Sequence, residues 1–389
     1  MNQRSYLDYN ATAPLRDEVR EAIIAALSLD GNPSSVHSEG RAARRAVETA
    51  RAKVAALVGA EPEAVIFTSG GTEANALALA ARLGEAWHCY VSAIEHPSVL
   101  SGGRFYRETT TTFPVTSDGV ADLEALMQEL AKHKPGGWRP LVSLMTANNE
   151  TGALQPIVDA SRIVHDVDGV LHTDAVQAAG RIKLDLEELG ADLLSLSAHK
   201  IGGPKGVGAL VLRHGASVEP LLKGGNQERR RRAGTENVAS IVGFGVAAEL
   251  ALADLAKADE TARLRDELEQ GALRLAPDAV VVSARVRRLP NTTCLAVPGV
   301  KAETLVIGLD LAGIAVSAGS ACSSGKVETS HVLSAMGISN ELAQGAIRVS
   351  LGFATKRADI NSFLKAFGEL IGRLRPKGGG LRAARRGSG

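Results

Sequence analysis

The sequence predicts an α/β fold in which helices cover both faces of a large, mostly parallel sheet. Between residues 64 and 212, short apolar runs alternate with segments whose apolar residues recur at helical spacing. This alternation is typical of βα units, which build parallel sheets. With 389 residues, of which 45% are hydrophobic, the chain is long enough for a second, smaller domain.

The elements follow from these periodicities. The strands predicted for the large sheet are 64–68, 89–94, 141–145, 170–173, 193–197 and 209–212, and the helices between them are 73–82, 123–132 and 157–166. A long amphipathic helix over 250–275 should lead to strands at 280–282, 292–297, 315–317 and 347–350 and to helices at 303–311 and 360–374. We therefore predict a large α/β domain over 13–255, a small α+β domain made of 1–12 and 256–376, and a disordered tail over 377–389.

Composition narrows the classes of function. Lysine and arginine number 44 against 43 acidic residues, so no global charge favours nucleic acid or a membrane surface. We see no signal-peptide pattern at the start and no apolar run long enough to span a bilayer. We expect a cytoplasmic protein that binds neither nucleic acid nor membrane directly.

The three cysteines are widely separated and lack a Cys-x-x-Cys spacing, which argues against a disulfide framework and a zinc site. We therefore expect no metal. Cys89 and Cys294 lie in apolar runs and are expected to be small core residues. Cys322 lies among small residues with no apolar periodicity, so we expect an exposed, mobile thiol that can act as a nucleophile.

The run Ser197 to Lys200 is the most informative one for chemistry. Lys200 ends an apolar stretch, follows His199 and precedes two glycines, a position suited to an imine with an aldehyde cofactor. Pyridoxal phosphate is the obvious candidate, and it also needs a carboxylate at its ring nitrogen and donors for its phosphate. Asp174, at the end of another apolar run, could supply the carboxylate. A lone lysine beside glycines would more often belong to a solvated loop.

A phosphate site is predicted where a strand passes through Gly70 and Gly71 into a helix. Backbone N–H groups and the positive end of the helix attract an anion there, and Thr72 adds a hydroxyl. Ser197 and His199 could complete the phosphate cup. On its own such a turn is weak evidence, because threonine is also a common N-cap.

Other polar side chains follow predicted strands. His96 could stack on a cofactor ring and move protons near neutral pH, although a lone histidine is more often structural. Asn149 and Gln177 could hold a phenolic oxygen on the ring, although such residues usually satisfy turns. Because ligands bind at the carboxyl ends of the strands in such sheets, all these residues can converge on one crevice.

Six motifs together resemble the cysteine desulfurases of nitrogen fixation and iron–sulfur cluster assembly, in the class-V aminotransferase group. In order, they are YLDYNAT at 6–12, GNPSS at 31–35, NNETG at 148–152, DAVQ at 174–177, SAHK at 197–200 and RAGTEN at 232–237. The resemblance covers nearly the whole chain. It implies a pyridoxal 5'-phosphate enzyme of fold type I, a homodimer, that converts L-cysteine to L-alanine and an enzyme-bound persulfide.

The resemblance also implies roles for individual residues. Lys200 would bind the cofactor covalently, Asp174 would pair with its ring nitrogen, and His96 would stack on the ring and act as acid and base. The remaining cofactor contacts would come from Gly71, Thr72, Asn149, Gln177, Ser197 and His199, with Thr235 reaching the phosphate of the other subunit. Arg348, assisted by Asn32, would bind the substrate carboxylate, which suits the bidentate fork of arginine.

The segment 317–325 resembles the mobile loop that carries the family's nucleophile, here Cys322. The sulfur would then pass to an acceptor such as an iron–sulfur cluster scaffold protein. A class-V aminotransferase or a selenocysteine lyase would use the same lysine and aspartate without requiring Cys322. A non-catalytic partner that keeps the fold is disfavoured, because every expected cofactor ligand is in place.

Overall fold

The computed structural model describes residues 4–80, 87–133, 139–319, 322–323, 326–327 and 329–375. Its strands are β1 Ser5–Tyr6, β2 Val65–Thr68, β3 Trp87–Ser92, β4 Thr110–Phe113, β5 Arg139–Ser143, β6 Val170–Asp174, β7 Leu193–Ser197, β8 Gly208–Leu212, β9 Val280–Val281, β10 Thr292–Ala296, β11 Ile314–Ala315, β12 Ser317–Ala318, β13 Cys322–Ser323, β14 Lys326–Val327 and β15 Ala346–Ser350. Its α-helices are α1 Asp17–Ala26, α2 Ser38–Leu57, α3 Gly71–Ala78, α4 Pro97–Leu100, α5 Leu123–His133, α6 Ile157–His165, α7 Leu186–Leu189, α8 Val238–Asp254, α9 Ala258–Leu275, α10 Ala302–Leu311, α11 His331–Ala335, α12 Asn340–Ala343 and α13 Arg357–Leu374.

The large sheet has seven strands in the order β2-β8-β7-β6-β5-β3-β4. The strands from β7 to β4 pair in parallel, whereas β8 runs antiparallel to both of its neighbours. Two antiparallel steps return β2 to the direction of β7, so the carboxyl ends of β2, β3, β5, β6 and β7 share one edge. The predicted α/β architecture with a mostly parallel sheet is confirmed.

Helices α1, α2 and α8 pack together over one face of this sheet. Their small residues allow close approach: a Cβ on Gly245 of α8 would lie 2.6 Å from the Cα of Ala50 on α2. Phe244 turns inward and meets Phe67 of β2 edge to face, with ring centroids 6.3 Å apart. One buried hydrophobic cluster thus joins these helices to the sheet.

The predicted helix over 250–275 is in fact parts of two helices. α8 ends at Asp254, a 3-10 turn follows at Leu255–Lys257, and α9 begins at Ala258. The helical stretch Val238–Leu275 is also long and apolar enough, by length and composition alone, to cross a membrane, which corrects our expectation that no such run exists. That is weak evidence for a membrane span, because core helices meet the same criterion and α8 buries Phe244 and its neighbours.

A second sheet, in the order β12-β15-β10-β9, packs against α9, α10 and α13 around its own hydrophobic cluster. The start of the chain reaches this region, where β1 pairs in parallel with β11. Beyond β1, Tyr9 N donates to Ser350 O at the end of β15. Residues 8–12 therefore lie where the two sheets meet.

Candidate active site

A cavity of about 210 Å³ opens at the carboxyl edge of the large sheet. Nine of the residues predicted for the site line it: Gly71, Thr72, His96, Asn149, Asp174, Gln177, Ser197, His199 and Lys200. They come from strand ends and turns that are far apart in sequence. The parallel topology is what brings them together.

Lys200 lies at the end of a 3-10 turn that follows β7. Its Nζ donates to two backbone carbonyls, Asn10 O at 2.6 Å and Ala11 O at 2.9 Å. Burial lowers the pKa of Lys200 to about 7, with further lowering by Arg181 and Arg348. The amine can therefore be unprotonated near neutral pH, the state that attacks an aldehyde.

Asp174 is the last residue of β6 and is buried. Its Oδ1 accepts from Val176 N at 2.9 Å, and its Oδ2 accepts from Asn75 Nδ2 at 2.7 Å. Two donors fix the orientation of the group and suit a carboxylate. This arrangement can present a negative charge to the protonated ring nitrogen of a pyridoxal cofactor.

His96 is the N-cap of the short helix α4. Its Nδ1 lies 2.8 Å from Ser98 Oγ and accepts from Ser98 N at 3.2 Å. Burial lowers the pKa of His96, and nearby Lys200 acts in the same direction, whereas Asp174 opposes it. The net effect favours the neutral form of this imidazole, which is exposed in the single chain.

The residues predicted for the phosphate site lie at the start of α3 and at and just beyond the end of β7. A Cβ on Gly71 would lie 3.1 Å from Val176 Cγ2 and 3.4 Å from Ser197 Cβ, so this position leaves little room for a side chain. Thr72 and Ser197 bring hydroxyls to the same wall. Burial lowers the pKa of His199 to about 4, with Lys200 contributing. His199 can therefore serve as a neutral hydrogen-bonding group.

Gln177 is held from two sides. Its Oε1 accepts from Arg181 Nη1, and its Nε2 donates to Asn10 O at 3.1 Å. Lys200 donates to that same carbonyl oxygen, which links the amide and the amine. Asn149 lines the cavity beside them.

Four predicted residues are not part of this cavity wall. Arg348, on β15, donates from Nη2 to Asp8 Oδ1 at 2.9 Å and from Nη1 to Asn149 O at 3.1 Å. Its buried Nε has no partner within the part of the chain that the structure describes. Asn32 and Thr235 are exposed. The backbone of Cys322 lies in β13, which pairs with β14, whereas its side chain lies outside the described residues.

The other two cysteines are core residues, as predicted. Cys89 on β3 and Cys294 on β10 are fully buried. Burial raises the pKa of each thiol to about 12. Neither can offer a thiolate at neutral pH.

Sequence reasoning missed three residues that orient the site. Asn75 holds Asp174, Arg181 holds Gln177, and Asp8 pairs with Arg348. Asn75 lies three positions after Thr72 on the same helix, so helical spacing could have indicated it. The other two are recognisable only from the folded chain.

The residues present fit pyridoxal 5'-phosphate. A partly buried amine with a pKa of about 7 and a carboxylate held by two donors share one cavity. At the helix end, the tight space over Gly71 lets backbone N–H groups approach an anion. The amine, the carboxylate and the anion-binding helix end are the groups that this cofactor requires.

Comparison with known proteins gives a consistent result. The family model described as "Aminotransferase class-V" matches residues 5–363. The chain is 44% identical over 384 residues to the cysteine desulfurase IscS of Dictyoglomus turgidum, covering 96% of each chain. It is 41% identical to the cysteine desulfurase NifS of Azotobacter vinelandii, covering 95% of this chain and 93% of that protein.

Solved structures agree with this result. A NifS-like protein from Rickettsia africae superposes with a TM-score of 0.86 at 36% identity, covering 95% of this chain and all of that one. A structure described as SspA in complex with cysteine has a TM-score of 0.76 at 31% identity, covering 89% of this chain and 98% of that one.

Proposed function

The chain belongs to the class-V aminotransferase family and, within it, to the cysteine desulfurases, and from this we propose a reaction in which Lys200, Asp174, Arg348 and Cys322 act together. The protein is a pyridoxal 5'-phosphate enzyme of fold type I. It converts L-cysteine to L-alanine and keeps the sulfur on Cys322 as a persulfide. The partly buried amine of Lys200, in one cavity with Asp174, is the observation that carries the assignment.

Proton removal from the substrate is the task of Lys200. Pyridoxal 5'-phosphate supplies an electron sink for the pair left when the α-proton of cysteine is removed. The free amine at Nζ accepts that proton, which it can do because its pKa lies near neutrality. Asp174 would pair with the ring nitrogen of the cofactor and favour its protonated form. Asn10 O and Ala11 O hold the amine whenever it is free.

Phosphate binding is assigned to the start of α3. Gly71 and Thr72 offer N–H groups and a hydroxyl, while Ser197 and His199 close the other side. Asn149 and Gln177 would hold the oxygen on the cofactor ring. His96 would stack on the ring and move protons.

Arg348 binds the carboxylate of the substrate. Its guanidinium is held by Asp8 and by Asn149 O, and its buried Nε is unsatisfied within the described chain. A buried donor without an acceptor is costly, so an incoming carboxylate is stabilised there. The family resemblance assigns a supporting role to Asn32, an exposed residue in the segment before α2.

Cys322 receives the sulfur. Its thiolate attacks the substrate sulfur, the carbon–sulfur bond breaks, and the electron pair stays with the carbon fragment, which takes a proton to become alanine. The segment before it is tied to the substrate site, because Ser317 Oγ donates to Asp8 Oδ2 at 2.8 Å and Asp8 also accepts from Arg348. This anchor supports the role of Cys322.

The assembly and the sulfur acceptor follow from the same proposal. We take the protein as a homodimer in which Thr235, exposed in the single chain, reaches the phosphate of the other subunit. The division into domains 13–255 and 1–12 with 256–376 stays a prediction. The acceptor is a protein such as an iron–sulfur cluster scaffold, and the location is the cytoplasm.

The decisive experiment measures both products. Purified protein with cofactor is given cysteine and a reductant, and alanine and sulfide are quantified together. Equal amounts of the two support the proposal. Amino transfer to a 2-oxo acid without sulfide would instead identify an aminotransferase.

A further inference from the structure

A chain of hydrogen bonds runs from Asp174 to His96 through two residues that the reaction above does not use. Asp174 Oδ2 accepts from Asn75 Nδ2 at 2.7 Å, and Asn75 Nδ2 also donates to Ser98 Oγ at 2.9 Å. Ser98 Oγ lies 2.8 Å from His96 Nδ1. Helices α3 and α4 bring these groups together along one wall of the cavity.

The direction of each bond in this chain is determined. Asn75 must present its nitrogen, because the reverse orientation would put Oδ1 against a carboxylate oxygen of Asp174. Its two N–H groups serve Asp174 and Ser98. Ser98 Oγ therefore accepts from Asn75, which leaves the hydroxyl hydrogen for His96 Nδ1.

A second donor acts on the same ring nitrogen. Ser98 N donates to His96 Nδ1 at 3.2 Å, since His96 caps α4. A backbone amide can only donate, so Nδ1 must be an acceptor. A neutral imidazole whose Nδ1 accepts carries its proton on Nε2.

We infer that Ser98 and Asn75 are positioning residues, which hold His96 neutral with its proton on Nε2 and tie that state to the orientation of Asp174. This inference rests on the proposed function for its meaning: His96 offers the cofactor and substrate a hydrogen-bond donor. A proton can be added only at Nδ1, at the expense of both bonds from Ser98. The residues that flank the cofactor ring are thereby connected.

Three charged or titratable groups act on His96 from other elements. Asp174 favours the charged ring, whereas Lys200 and His331 disfavour it. His331 is itself held by a contact between its Nε2 and Glu95 O, 2.9 Å apart. The two contacts from Ser98 act in the same direction as the desolvation of the ring and favour its uncharged form.

The test reads the tautomer directly and does not require turnover. Full-length protein labelled with ¹⁵N-histidine is measured by NMR with and without pyridoxal 5'-phosphate, and the His96 signals are identified among nine histidines by their loss in His96→Gln. We expect an unprotonated Nδ1 and a protonated Nε2 at pH 7. A protonated Nδ1 would overturn the inference, even if the enzyme proved to be a desulfurase.

Variants then test the two positioning residues. Ser98→Ala should raise the pKa of His96 by roughly 0.4 to 1 unit, the equivalent of one hydrogen bond. Ser98→Thr should restore the wild-type value, and Asn75→Ala should shift the pKa in the same direction as Ser98→Ala. Ser101→Ala is the matched control, because Ser101 Oγ donates to the carbonyl oxygen of Ser98 at 3.2 Å rather than to His96. An unchanged or lowered pKa in Ser98→Ala would refute the assignment.

Discussion

Replacing Arg51 by Met should destabilise the protein strongly, because it breaks a buried, bidentate ion pair. Arg51 Nη1 and Nη2 donate to Glu228 Oε2 and Oε1 at 2.7 and 2.8 Å. The two side chains are 7% and 3% exposed. Glu228 also accepts from Phe67 N at 3.0 Å, so the pair joins α2, β2 and the segment that leads to Thr235.

The size of the effect follows from burial. Removing one partner of a buried pair leaves an uncompensated charge and costs about 3 to 5 kcal/mol. The guanidinium also lies 4.7 Å from the centroid of the Phe67 ring, a contact worth about 1 kcal/mol that Met only partly replaces. We therefore expect Arg51→Met to lower the free energy of unfolding by an amount in the upper half of that range.

The assay is denaturant unfolding at one protein concentration, followed by circular dichroism and by fluorescence. Arg51→Met is compared with the double variant Arg51→Met, Glu228→Gln, which removes both charges and keeps an acceptor for Phe67 N. The double variant should be more stable than the single one by about 2 kcal/mol. A loss of unfolding free energy below about 1 kcal/mol in Arg51→Met, or a double variant no more stable than Arg51→Met, would show that the pair is effectively solvated.

Three further predictions concern the site. Lys200→Ala should abolish turnover and covalent cofactor binding, whereas Lys205→Ala, at an exposed neighbour, should keep both; peptide mapping after borohydride reduction that found the cofactor on Lys205 would contradict this. The rate at which the cofactor-free protein binds pyridoxal 5'-phosphate should rise with pH and level off above about 7, because Lys200 has a lowered pKa and reacts when unprotonated; stopped-flow absorbance measures it, and a rise that continues to pH 10 would refute the value. Cys322→Ser should bind cofactor and cysteine yet release neither alanine nor sulfide, while Cys89→Ala and Cys294→Ala should retain activity apart from packing losses. Mass spectrometry of the wild type after cysteine, without reductant, should find one added sulfur on the Cys322 peptide, and sulfur on Cys89 or Cys294 would remove the central claim.

The sequence predicted the cavity well because its residues follow strand ends. Asp174 and Ser197 are the last residues of β6 and β7, and Lys200 lies three positions beyond. Parallel strands carry such positions to one edge whatever the distances in sequence. Local patterns were therefore sufficient to indicate which side chains meet.

Other features depend on tertiary contacts that no local pattern records. Arg181 and Asp8 orient Gln177 and Arg348 across the fold. The edge strand β4 escaped prediction because it reads Thr-Thr-Thr-Phe and buries only Phe113. Helix α2 was missed because its buried face is rich in alanine and also contains Gly40 and Arg51, which weakens its apolar signal.

The position of Asn10 has a consequence for how the enzyme is made. Its carbonyl receives the amine of Lys200, and its backbone N–H donates to Ser350 Oγ at 2.9 Å, a residue 340 positions later. At about 5 to 20 residues per second, a ribosome needs roughly 20 to 70 seconds to add that many residues. The large sheet can form during this time, but the carbonyl that accepts from Lys200 is held in position only after β15 has emerged. Competence to bind cofactor should thus arise late in synthesis, which keeps a half-made chain from trapping a reactive aldehyde.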